Sequence, residues 1–413
     1  MKRLLLLLLL LLGLNIQSVA QNFDVEIGPI YGHYTDSTRH FWMLVKPHAQ
    51  NDLFVVDWVT EFNVDLYEYF EQFTEERIQK IERSSMLKDR YIMVSGILDI
   101  KQPKPAKTDI SFLVGSCAFP YPFAFWGGKD KEVIFEAMAK QDKDFMLWMG
   151  DNVYYLFGEW KQKKKMHKKN LTMRFKPKLR TFLESCPQYA TWDDHDFGGN
   201  NEDGSYGGKY QSLEIFKDYW VNPYYGTDST LGVFCHFSHA DADFFMLDAR
   251  FHASDSSMLG KGQTKWLKEK LAASTANFKF IISGTQILCD NPGGEDLGDF
   301  ANSRAKLLRF LKEQEIKGVI FLSGDRHYGE LLKLERTDTY PLYEMTSSPL
   351  TSLVNPGYTK INPLRLPETL VLDLNFGKIH LLGKGENRRC RLELLDRTGE
   401  LFWKQDILLS EIQ

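Results

Sequence analysis

Long apolar runs, paired cysteines and an excess of one charge are all scarce in this sequence of 413 residues. The apolar stretch Leu4 to Leu12 is shorter than the ~20 residues that a spanning helix needs, and no other stretch approaches that length, which argues against a transmembrane anchor. The five cysteines, Cys117, Cys186, Cys235, Cys289 and Cys390, are an odd number, so unless the protein cross-links to a partner at least one thiol is left for burial or metal ligation. A net charge of -4 gives no global field to draw in a nucleic acid, so specific nucleic-acid recognition is not expected and any attraction for an anion must be local.

What the chain does contain begins with a three-part leader. Lys2 and Arg3 precede the leucine run, and Ser18, Val19 and Ala20 follow it. This is the form of a secretory signal, and it predicts cleavage near Gln21 and a secreted or periplasmic protein. No cysteine follows closely enough to suggest a lipid anchor.

The densest chemistry lies in YATWDDHDFGGNN, residues 189–201, where Asp193, Asp194 and Asp196 surround His195 behind a short strand-like run. Adjacent acids near apolar surface need a cation or solvent, because an unpaired buried carboxylate costs several kcal/mol or shifts its pKa. A solvated acidic turn is the alternative reading.

Residues 21–107 read as a small β-rich domain. Ile27 to Thr35, His40 to Lys46 and Tyr91 to Ile100 are predicted strands, Leu66 to Arg83 is a predicted helix, and Pro103 and Pro105 mark a linker. His33, His40 and His48 lack metal-ligand spacing. From Thr108 onward, apolar runs alternate with amphipathic helices over 131–140, 263–273 and 303–314, the last with Ser303 as its cap, which predicts an α/β sandwich over 108–413. The tail, residues 370–412, returns to alternating strands and should complete one of its sheets.

Six apolar runs each end in a polar, chemically competent loop: Gly115-Ser116-Cys117, Gly150-Asp151-Asn152, Asp193-Asp194-His195, Asp248-Ala249-Arg250, Gly284-Thr285-Gln286 and Gly324-Asp325-Arg326-His327. Ligands of α/β sheets bind outside the carboxyl ends of the strands, so these loops can meet at one site.

In that order, GSC (115–117), GDNVY (150–154), WDDHDFG (192–198), LDAR (247–250) and SGDRH (323–327) resemble the alkaline phosphatase D-like branch of the metallophosphoesterases. IGPIYGHYTDSTRHFWMLV resembles the start of that family's N-terminal β domain. The resemblance implies a calcineurin-like metallophosphoesterase fold, two mixed sheets flanked by helices, preceded by a small N-terminal β-rich domain. By the same resemblance Asp194 takes the place of an Asn ligand and His195 that of the transition-state histidine. Asp325 replaces the first His of a G-H-x-H motif, His327 keeps the second, and GSC stands where D-x-H would be.

A carboxylate such as Asp151 can bridge two cations a few ångströms apart, the arrangement that clamps attacking and leaving oxygens in phosphoryl transfer. Ligand softness alone suggests zinc for Cys117 and calcium or magnesium for the acids, with manganese also possible. The resemblance implies iron(III) with calcium in a dinuclear or larger centre, ligated by Cys117, Asp151, Tyr154, Asp194, Asp325 and His327. Arg250 can grip phosphate oxygens or pair with the acidic cluster. Asn200, Asn201 and Gln286 are candidate neutral ligands.

The expected activity is hydrolysis of phosphate esters, small molecules or phospholipids, by a metal-bound hydroxide with His195 assisting. A phosphodiesterase or phospholipase D-like activity on the same fold, and a non-catalytic exported binding protein, are the rival readings. KQKKKMHKK, residues 161–169, reads as a solvated, mobile segment or a basic lid. His236 and His239 beside Cys235 have no evident carboxylate partner.

Overall fold

The first alternating segments pair as antiparallel strands, β1 (Phe23–Tyr34) and β2 (Thr38–Pro47). They join β3 (Arg77–Met86) and β4 (Ile92–Asp99) in a sheet of order β1-β2-β4-β3. The computed structural model describes residues 23–47, 77–86, 91–99, 107–119, 130–289, 300–355 and 362–413. The expected signal segment, His48 and most of the expected helix over 66–83 lie outside these residues. The end of that helix is corrected: residues 77–83 belong to β3, where the backbone groups of β4 find partners and ladder formation overrides helical charge order.

Alternation in β2 splits this sheet between two clusters. Phe41, Met43 and Val45 pack with Phe23 and Val94, whereas Trp42 and Leu44 face the large domain. There the Trp42 indole donates to the Asp218 carbonyl at 2.8 Å, and the buried Arg174 guanidinium stacks against Trp42, Tyr219 and Trp220.

The large part is a sandwich of two mixed six-stranded sheets. One contains β5 (Ile110–Gly115), β6 (Phe145–Met149) and β7 (Gln188–Thr191), parallel to one another. The other is built on the antiparallel hairpin β8 (Cys235–His239) and β9 (Ala242–Met246), followed by β10 (Phe278–Ile282), β11 (Val319–Ser323), β12 (Glu330–Leu334) and β13 (Leu342–Thr346). Within it β9, β10, β11 and β13 are parallel. The tail returns to the first sheet as β14 (Asn375–Leu382), β15 (Arg389–Asp396) and β16 (Leu401–Leu408), as the alternation predicted. Phe112, Phe145, Phe244 and Phe280 fill the space between the sheets, with ring centroids 5.0 to 5.3 Å apart.

Helices α1 (Val133–Lys140), α2 (Lys163–Arg174), α3 (Pro177–Leu183), α4 (Asp194–Phe197), α5 (Lys209–Tyr219), α6 (Gly260–Ala273) and α7 (Ala301–Glu313) connect the strands. Ser303 lies inside α7 and is not its cap; its amide already donates to the Phe300 carbonyl at 2.7 Å. The lysine-rich segment is solvated on one side, as expected, but regular. It is helical in α2, because Met166, Asn170 and Met173 form a buried stripe whose packing outweighs the repulsion of its charges. No helix among the described residues is long and apolar enough to cross a membrane.

Candidate metal centre

The parallel strands end together because glycines let their loops close on one another. A Cβ on Gly150 would lie 2.7 Å from Asp193 Cβ, and one on Gly284 would lie 2.7 Å from Asp193 Cγ. Backbone bonds lace the same loops: the Ala118 amide donates to the Asp151 carbonyl at 2.8 Å, and the Gly324 amide to the Gly284 carbonyl at 2.8 Å.

Asp151 stands at the centre and is 1% exposed. Its Oδ2 accepts from the Tyr154 hydroxyl at 2.8 Å and lies 3.5 Å from Cys117 Sγ, while its Oδ1 accepts the His195 amide at 3.2 Å. One ligand atom each from Cys117, Asp151 and His327 lie within 4.8 Å of one another, and so do those from Asp151, Asp194 and His195. Asp151 therefore belongs to both groups. The Tyr154 hydroxyl is also 3.3 Å from His327 Nε2, and its ring packs on the His195 imidazole with centroids 4.2 Å apart.

The other expected residues are placed less centrally. The Asp325 carboxylate lies outside both groups, 3.6 Å from Arg326 Nη1, although its carbonyl is 3.6 Å from Cys117 Sγ. Arg250 is buried and forms an ion pair with Asp193 through Nε. Asn201 reaches Asp194 Oδ2 with its backbone amide at 2.8 Å, and the Asn200 side chain donates to that of Asn201. Gln286 is turned away, donating to Glu330 at 2.7 Å and Thr346 at 2.8 Å. His236 has a carboxylate neighbour after all, Asp243 at 3.4 Å, and His239 meets the Tyr34 hydroxyl at 3.0 Å.

Two residues given no role from the sequence, Asp196 of the acidic cluster and Ser348, hold the centre from behind. Asp196 accepts the amides of Asn152 at 3.0 Å, Val153 at 3.2 Å and Asp193 at 3.1 Å, which fixes the loop carrying Asp151 and Tyr154. Ser348 donates to Cys117 Sγ at 3.1 Å and accepts the His327 amide at 3.0 Å. Ser348 follows β13, whose sequence LYEMT is broken by the buried Glu344, so the apolar-run criterion that found the other six loops does not reach it.

Backbone strain is concentrated here. Cys117, Asp151, Asp325 and His327 have φ of 58°, 54°, 65° and 57°, a left-handed region that costs a non-glycine residue roughly 1 to 2 kcal/mol. Electrostatic strain accompanies it. Burial, then Asp194 and Asp193, push the Asp151 carboxyl well above the ordinary carboxylate range. Burial and Asp151 likewise raise the Cys117 thiol and the Tyr154 phenol, whereas burial lowers His327. Asp194 is raised by burial but held low on balance by Arg250, His195 and the Asn201 amide.

These features fit a bound cation. The donors are a thiol, a phenol, carboxylates and imidazoles, buried Asp151 and Asp194 have no ion-pair partner among the described residues while Arg250 pairs with Asp193, and the buried atoms His195 Nδ1 and Asp193 Oδ2 have no hydrogen-bond partner.

The chain also resembles known proteins. The family model described as PhoD-like phosphatase matches residues 112–371. Alkaline phosphatase D of Bacillus subtilis (strain 168) is 23% identical over 251 residues, 47% of this chain and 42% of that protein. The match therefore spans less than half of that relative. Among solved structures, that of PhoD superposes with a TM-score of 0.66 at 14% identity, covering 93% of this chain and 92% of its own. Purple acid phosphatase PPD1 from yellow lupin (Lupinus luteus) seeds gives 0.54 at 11% identity, covering 90% and 60%. These likenesses are of fold, and the fold is the calcineurin-like sandwich that the motifs implied.

Proposed function

The chain belongs to the PhoD-like phosphatase family, and from that premise we propose that it hydrolyses phosphate esters at a metal centre organised by Asp151. The observation that carries this reading is the sharing of Asp151 between the Cys117–His327 group and the Asp194–His195 group. Cys117, Tyr154 and His327 would hold one cation, Asp194 the other, with Asp151 between them and Asp325 closing from the rim. Bound there, the cations would neutralise phosphoryl oxygens and lower the pKa of an attacking water.

The protein's own groups do the rest. Tyr154 and the Asp194 carboxylate hold the His195 ring and backbone in place, the latter by accepting the His195 amide at 2.9 Å. From that position the imidazole stabilises charge on the transferred phosphoryl group or protonates the leaving oxygen. Arg250 pairs with Asp193, which would leave the remaining carboxylates free to hold the cations. Asp196 keeps the loop bearing Asp151 and Tyr154 from shifting.

A thiolate and a phenolate favour a highly charged ion, so we assign iron(III) to the Cys117 side and calcium to the Asp194 side. Residues 1–20 would direct export, leaving a β-rich domain over 21–107 and the catalytic domain over 108–413. The separate sheet of β1 to β4 supports that division.

The test is turnover of a nitrophenyl phosphate by purified protein before and after chelation, with elemental analysis of both samples. At least two metal equivalents, and activity lost on chelation and restored by re-addition, are expected. Full activity in protein free of metal would overturn the proposal.

A further inference from the structure

Four lysines of the basic segment have a property that their neighbours lack. Lys163 pairs with Glu214 at 2.7 Å, Lys169 with Glu159 at 2.8 Å and Lys176 with Glu132 at 2.6 Å. Lys161, Lys164, Lys165 and Lys168 are exposed and have no carboxylate partner among the described residues. Lys164, Lys165 and Lys168 lie on the side of α2 opposite the buried Met166, Asn170 and Met173, and Lys161 ends the 3-10 turn Glu159–Lys161 just before the helix.

Phe157 stands at the N-terminal end of that run of lysines. It is 92% exposed and has φ of 51°, so it is both out of the core and in a conformation unfavourable for its type. Its turn is fastened to the helix: the Leu156 amide donates to Glu159 at 2.8 Å, Glu159 binds Lys169, and the Asn170 side chain donates to the Tyr155 hydroxyl at 2.8 Å. Phe157 and the lysines are therefore parts of one rigid projection. It adjoins the candidate centre, because the same loop carries Tyr154 and because Trp160 packs against Gly199.

We propose that this projection docks the protein on an anionic phospholipid surface. Charge alone would suit any polyanion, but a rigidly presented aromatic ring adds an element that enters the boundary between headgroups and acyl chains while lysines remain at the headgroups. On a chain whose net charge is -4, these lysines would orient the molecule with the rim of the centre toward the surface.

Flotation of the full chain with phosphatidylcholine vesicles, with and without phosphatidylglycerol, tests this. Binding is expected only with phosphatidylglycerol and should weaken as salt is raised. Replacing Lys161, Lys164, Lys165 and Lys168 by Gln should weaken binding by about fivefold for each lysine. Phe157→Asn, which tolerates the left-handed backbone, should weaken it by roughly tenfold. Each variant should keep the thermal stability of the parent and its turnover of a soluble ester, so failure here is separate from failure of the proposed chemistry. Unchanged vesicle binding in either variant, or equally tight binding of soluble polyphosphate that does not depend on Phe157, would overturn the proposal.

Discussion

The Tyr154 hydroxyl donates to Asp151 Oδ2 at 2.8 Å and lies 3.3 Å from His327 Nε2, so a single phenol touches a carboxylate and an imidazole that come from different loops. If this oxygen ligates iron(III), the protein is coloured by a charge-transfer band, and Tyr154→Phe weakens or abolishes it. The measurement is the visible spectrum at matched iron content. An unchanged band in the variant would remove Tyr154 from the ligand set.

Metal uptake should release protons. Asp151, Cys117 and Tyr154 all have raised pKa values in the folded protein, and each must lose its proton to bind a cation. Affinity for re-added metal therefore increases with pH. Titrating chelated protein in a weakly buffered solution with an indicator reads the release directly; uptake without acidification would contradict these ligand assignments.

His195 can be separated from the metal ligands by leaving-group dependence. His195→Ala is expected to lose ~100-fold to ~10,000-fold in turnover if the imidazole is a general acid, with the greater loss on an ester of a poor alkyl leaving group than on a nitrophenyl ester. Equal losses on both, at matched metal content, would leave charge stabilisation as its role.

Asp196→Asn should weaken metal binding by ~10-fold to ~100-fold, because the carboxylate behind the loop orders Asp151 without touching a cation. Calorimetric titration with metal checks this. Affinity equal to that of the parent would show that the loop holds its shape without Asp196.

At the contact between the first sheet and the sandwich, His33 is pushed down to about 4 by burial, His40 and His239, and its Nδ1 lies 3.4 Å from the Tyr189 hydroxyl. Its folded pKa is below the ordinary 6.5, so the stability it confers is complete above that pH and is lost as pH falls through about 4. That span is worth at most ~3 kcal/mol. His33→Asn should flatten the acid limb of the melting-temperature profile, and parallel profiles for parent and variant would exclude His33 as a source of acid sensitivity.

The parts of the centre visible in the sequence are those that end a strand. Five-residue runs such as Phe145–Met149 are buried throughout, so the first polar residue after each one marks the strand's carboxyl end. Asp196 was visible as a carboxylate but not as a support, because the amides of Asn152 and Val153 that it accepts lie more than forty positions earlier. The segment over 77–83 misled for a related reason: its charge order favours a helix, and only the neighbouring strand β4 makes it a ladder partner. The lysines of α2 likewise hid the spacing of Met166, Asn170 and Met173.

Cys117, Asp151, Asp325 and His327 share a backbone conformation that glycine would occupy without penalty. Together they withhold several kcal/mol from a fold whose total stability is ordinarily ~5 to 15 kcal/mol. Directed evolution of this protein for heat resistance alone would accordingly favour glycine at these four positions, and the hardier survivors would be those stripped of their chemistry. Any such screen has to score turnover in the same round as survival.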